Sequence, residues 1–76
     1  MIREHDLIVL TCDVPEAALK EGDVGTVVDL HGEAGYEVEF STVGGDTVAV
    51  VSLMAAQVRP VGPRDMYHSR SVERGA

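Results

Sequence analysis

Tyr36-Glu37-Val38-Glu39-Phe40 alternates apolar and acidic residues without a fault. Successive side chains of a strand point to opposite faces, so the run predicts a half-buried strand. Tyr36, Val38 and Phe40 would face a core, and Glu37 and Glu39 would face water. The sequence on either side reads as more of the same sheet. Upstream, His31-Gly32-Glu33-Ala34-Gly35 has turn composition. Before it, Val24-Gly25-Thr26-Val27-Val28-Asp29-Leu30 is rich in the β-branched residues that suit a strand. Gly25 inside that run predicts a bulge or the close approach of neighbouring backbone. Downstream, Ser41-Thr42-Val43-Gly44-Gly45-Asp46 carries the glycine pair of a tight hairpin. The run Thr47-Val48-Ala49-Val50-Val51-Ser52-Leu53 follows, nearly all apolar. Met54-Ala55-Ala56-Gln57 then turns the chain into a brief last strand, Val58-Arg59-Pro60, which its proline ends.

Asp6-Leu7-Ile8-Val9-Leu10-Thr11 supplies a first strand. The stretch from Cys12 to Asp23 then reads as a long loop, in which Pro15 starts at most one helical turn and Leu19 tucks back as a plug. Five short strands with Gly-rich turns, in a chain too small for a sandwich, predict an all-β fold. The expected form is a small five-stranded SH3-like barrel over residues 1–60, closed or half-closed. Closure would also hide the edges of the sheet. Gly62-Pro63 marks the domain boundary, and residues 61–76 form a short C-terminal tail, expected to be flexible or ordered by a partner. A turn or two of helix over residues 64–74 would be marginal on its own.

With 76 residues, the chain has room for one domain. It has only three aromatic residues (Tyr36, Phe40 and Tyr67), so Val, Leu, Ile and Ala must build the core. Charge is uneven. Residues 1–60 hold eleven carboxylates against Arg3, Lys20 and Arg59, whereas the tail holds two against three arginines. Such a body repels phosphate backbones and favours a basic partner. No apolar run approaches the ~20 residues that span a bilayer. The N-terminus has no secretory pattern, and the lone Cys12 makes no internal disulfide. The expected setting is cytoplasmic, away from membranes.

The run Leu19-Lys20-Glu21-Gly22-Asp23-Val24-Gly25-Thr26-Val27-Val28 carries a resemblance when taken with Tyr36-Glu37-Val38-Glu39-Phe40. So do Gly45-Asp46-Thr47-Val48-Ala49-Val50-Val51-Ser52-Leu53 and Gln57-Val58-Arg59-Pro60. Together they resemble the bacterial domain of unknown function 4926 family, over roughly Asp6 to Pro60. The resemblance implies an SH3-like barrel and little biochemistry. The stretch from Lys20 to Val28 is also similar to the KOW element of ribosomal and transcription proteins, where basic residues on neighbouring loops meet RNA. Here those loops carry Asp23, Asp29, Glu33, Glu37 and Glu39, which opposes nucleic-acid binding.

Chemistry-bearing patterns are sparse. His5, His31 and His68 lie far apart and show no metal-ligand spacing. Cys12 has no evident base or oxyanion site beside it and reads as a half-buried apolar residue. Glu37 and Glu39 are spaced for one face of a strand, but carboxylate catalysis at a glycosidic bond needs a deep pocket that a barrel this small fills with its own side chains. Gly22-Asp23-Val24-Gly25 opens no helix and lacks a phosphate-binding lysine. No cofactor or metal is expected. What remains is a non-catalytic protein-interaction module: an accessory subunit, or an antitoxin-like inhibitor, meeting a protein partner through a basic patch, with self-association left open. A KOW-like nucleic-acid barrel is the alternative. The candidate partner-binding residues are Asp29, Glu37 and Glu39 on the sheet and Tyr67 in the tail.

Overall fold

In the computed structural model, which describes residues 1–72, the alternating run becomes the third of five strands. These are β1 (Leu7–Leu10), β2 (Val24–Leu30), β3 (Tyr36–Ser41), β4 (Thr47–Leu53) and β5 (Val58–Pro60). They form one antiparallel sheet in the order β4-β3-β2-β1-β5. β2, β3 and β4 make a meander, and β5 returns to pair with β1. This is the SH3-like order, including the long β1–β2 loop and a 3-10 turn (Ala55–Gln57) before the last strand.

The apolar faces meet in one core of Ile8, Leu10, Val27, Val38, Phe40, Leu53 and Val58, sealed by Val14 and Leu19 from the β1–β2 loop. Leu19 is the plug its position suggested. A one-turn 3-10 helix (Pro15–Ala17) and the bridge Val14↔Leu19 fold the loop back over the barrel mouth. Each such side chain taken from water contributes about 1.5–3 kcal/mol, so these nine residues carry most of the apolar driving force.

The sheet coils without closing: β4 and β5 are its two edges and do not pair with each other. β5 offers only three residues and ends in Pro60, whereas β4 presents seven residues with neither proline nor charge. Closure therefore does not hide the edges, and β4 keeps an open one.

Gly25 is not a bulge. It pairs in register with Ile8, and a Cβ there would lie 2.6 Å from Val38 Cγ1 and 2.8 Å from Phe40 Cε2, so the glycine serves close packing. The register shifts instead between Val27 and Asp29, and again between Phe40 and Ser41. Gly35, at φ 119°, lets the β2–β3 turn pass against the Leu53 carbonyl, where any Cβ would collide.

Beyond β5 the chain turns back. The Val61 N–H donates to the Leu7 carbonyl at 3.3 Å, and the Gly62 N–H donates to Asp65 Oδ2 at 2.6 Å. Residues 64–72 contain no helix; residues 64–68 line a groove with Val9 and Val24 on the outer side of the sheet, and residues 67–72 line another with Leu19, Phe40 and the β3–β4 hairpin. Residues 73–76, which include the end of the stretch expected as helix, lie outside the described residues.

Candidate functional site

The strand register decides which polar side chains share a face. Asp29 of β2 stands directly opposite Glu37 of β3, and Glu37 opposite Ser52 of β4. One row along, Leu7, Thr26, Glu39 and Val50 line up across β1, β2, β3 and β4. Directly opposed residues of an antiparallel pair project to the same side. Asp29, Glu37 and Glu39 therefore lie together on the outer face. The shift at Val28 is what restores Asp29 to that face, since strict alternation from the buried Val27 would have turned it inward.

Little neutralises these carboxylates. Glu37 lies 3.7 Å from the His31 imidazole, an ion pair only when that ring is protonated. Glu39 accepts a 2.8 Å hydrogen bond from the Thr47 hydroxyl, and Asp29 accepts one of 2.8 Å from the Leu30 N–H. Among the described residues, no lysine or arginine pairs with any of the three. Apolar side chains flank them: Val50 is 53% exposed and Leu7 41%.

The fourth candidate, Tyr67, is elsewhere. It sits in the tail, exposed, lining two open grooves bordered by the tail and the body. None of Asp29, Glu37 and Glu39 lines either groove, so the structure groups those three and sets Tyr67 apart.

Sequence reasoning missed a second constellation. Arg59 forks onto Asp65 at 2.9 and 3.0 Å. The guanidinium and the Gly62 N–H together push the Asp65 carboxyl down to about 2. Arg70 forks onto Asp23 at 2.8 and 2.6 Å and also reaches the Ala18 carbonyl at 3.2 Å. That fork, aided by the Lys20 N–H, lowers the Asp23 carboxyl, while each carboxylate raises its arginine. Asp23 closes a turn whose sequence was legible. Its partner lies 47 residues away, and no local pattern announces it.

No group of three or more His, Cys, Asp and Glu side chains is gathered as a metal site among the described residues. Cys12 is half-buried and unbridged. No helix among these residues is long and apolar enough to cross a membrane. The family model for a domain of unknown function, DUF4926, matches residues 4–60. The chain belongs to this family. The DUF4926 match spans all five strands, so both the carboxylate face and the Asp23 turn fall within the family's segment, whereas Asp65, Tyr67 and Arg70 lie beyond it. No significant match is found among curated proteins or solved structures.

Proposed function

We propose that this DUF4926 chain is a small acidic protein-interaction module without catalytic activity, acting as an accessory subunit or antitoxin-like inhibitor in a bacterial cytoplasm. Its docking surface is the outer face of β2, β3 and β4, and its partner presents lysine or arginine there. One observation carries the reading: Asp29 and Glu37 are held directly opposite each other, with no lysine or arginine among the described residues pairing them. Like charges so placed oppose folding slightly, and a basic partner would remove that opposition. Val50 and Leu7 supply apolar surface beside them. The charge would act mainly on encounter, drawing the partner in over a Debye length of about 8–10 Å. Nucleic acid is disfavoured because two of the few cations, Arg59 and Arg70, are already forked onto the chain's own carboxylates.

The test uses the full chain, tagged, to recover its partner from native cells, followed by titration of that partner into isotope-labelled protein. Amide shifts at Thr26, Asp29, Glu37, Glu39 and Val50 are expected. Shifts confined to the β1–β2 loop and the tail would overturn the assignment.

A further inference from the structure

The tail does not merely return to the body; residues 67–72 form one wall of an open groove and are anchored at its margin by Arg70 on Asp23. The groove is an open cleft of about 670 Å³ between the β1–β2 loop and the β3–β4 hairpin, with Leu19, Phe40, Val43 and Val48 among its walls. Asp23 stands at its margin, already organised for a ligand. Its main-chain carbonyl accepts from the Leu10 N–H at 2.9 Å, and its Oδ2 accepts from the Lys20 N–H at 2.8 Å. These bonds belong to the body of the protein and fix the carboxylate whether or not a guanidinium is present. The Ala18 carbonyl adds a second acceptor on the same side. A carboxylate fork plus a carbonyl suits arginine and not lysine, because a planar guanidinium can satisfy all three acceptor sites at once.

With the tail as one wall, this cleft stays largely open. Beside Arg70 the tail offers Ser69, Ser71 and Val72 to apolar walls, while its largest apolar side chains, Met66 and Tyr67, remain 82% and 67% exposed. A segment with the same arginine and a larger apolar neighbour would bury more surface in the same place. We propose that this cleft recognises an extended, arginine-bearing peptide segment of a partner protein, and that Arg70 of the tail holds its Asp23 end in cis until such a segment displaces it. The site is separate from the carboxylate face, so either assignment stands or falls without the other. Tethering sets the threshold for displacement: a short linker presents the tail at an effective concentration of about a millimolar. Only a segment that binds better than the tail does enters at cellular concentrations.

The experiment uses the full-length chain and a fluorescent peptide of residues 66–72, in its native form and as its Ser71→Leu version, read by anisotropy. In Arg70→Ala protein, amide shifts at Gly44 and Val48 should report the released tail, and the Ser71→Leu peptide should bind saturably. It should bind about ten-fold more tightly than the native peptide, and wild-type protein should bind either peptide at least ten-fold more weakly than Arg70→Ala does. Peptides in which Arg70 is replaced by Lys should lose most of the affinity, a comparison that leaves the protein's folding untouched. Three results would overturn the proposal: a tail still held at the cleft in Arg70→Ala protein, no saturation by about 1 mM peptide, or equal binding of arginine and lysine peptides. A wild-type chain that runs as a dimer and is dissociated by the peptide would assign the cleft to a second copy's tail instead, and would also overturn it.

Discussion

Val9 and Val50 sit mid-strand on the same outer face of one sheet, yet Val9 is 8% exposed and Val50 is 53% exposed. The difference lies in what covers them. Over Val9 and Val24 the chain lays its own tail, and the carboxylates of that half, Asp23 and Asp65, each hold an arginine. Val50 stays exposed, and among the described residues Asp29, Glu37 and Glu39 hold no arginine or lysine. One half of the face has had its apolar surface and its charge satisfied within the molecule. The other half keeps both available, which is the property expected of a docking surface.

The comparison assumes a common scaffold beneath both halves, and the largest expected effect tests that assumption. Phe40 lies in the core below them, so Phe40→Ala should cost about 3–5 kcal/mol, enough to unfold much of so small a domain. Glu39→Ala, on the bare side of the same strand, should cost under ~0.5 kcal/mol. Urea midpoints measure both, and similar midpoints would mean the faces are misassigned.

Next in size is the contrast between the two valines. Val9→Ala should cost about 1–2 kcal/mol because the tail buries that side chain, whereas Val50→Ala should stay within ~0.5 kcal/mol. Equal losses would show that the tail does not cover Val9 in solution.

The body was largely legible before any coordinates. Perfect alternation from Tyr36 to Phe40 fixes two faces at once, and the β-branched runs and glycine turns on either side place the other strands to within a residue or two. What escaped was non-local. The shift at Val28 depends on how β2 and β3 pair, so of the two readings for Gly25 the bulge belongs to Val28. The close approach of neighbouring backbone holds, the Glu39 carbonyl lying 3.0 Å from where a Cβ would stand. The tail's path depends on Asp23 meeting Arg70 and on Asp65 meeting Arg59 after the chain reverses, and neither pair has a periodic signature. The open edge of β4 likewise follows from coiling that strand count alone does not set. Of the four candidate residues, Glu37 and Glu39, read from strand alternation, share the face with Asp29, which the shift at Val28 places beside them, and Tyr67 lies apart.

Acid should separate the halves more gently. The folded Asp65 titrates at about 2 against its ordinary 3.8, and Asp23 is also depressed. Their contribution to tail docking is therefore complete above the ordinary carboxylate value and is lost as pH falls from near 3.8 toward 2. Amide signals of residues 64–70 should shift in that window while those of Val27 and Val38 hold. Simultaneous loss of both sets would mean that the tail is no separate unit.

The smallest effect has the most telling sign. Glu37→Gln relieves the opposition to Asp29 and should stabilise the chain by a few tenths of a kcal/mol at low salt, with the gain fading as salt is raised. A loss of stability would mean that Glu37 is already paired within the molecule.

Association kinetics show whether the bare half receives a basic partner. The rate constant for the recovered partner should fall by on the order of ten-fold from low to high salt for the wild type. The Glu37→Gln/Glu39→Gln chain should start slower and lose most of that dependence. An on-rate indifferent both to the substitutions and to salt would contradict the account and pass the role to the uncharged edge of β4.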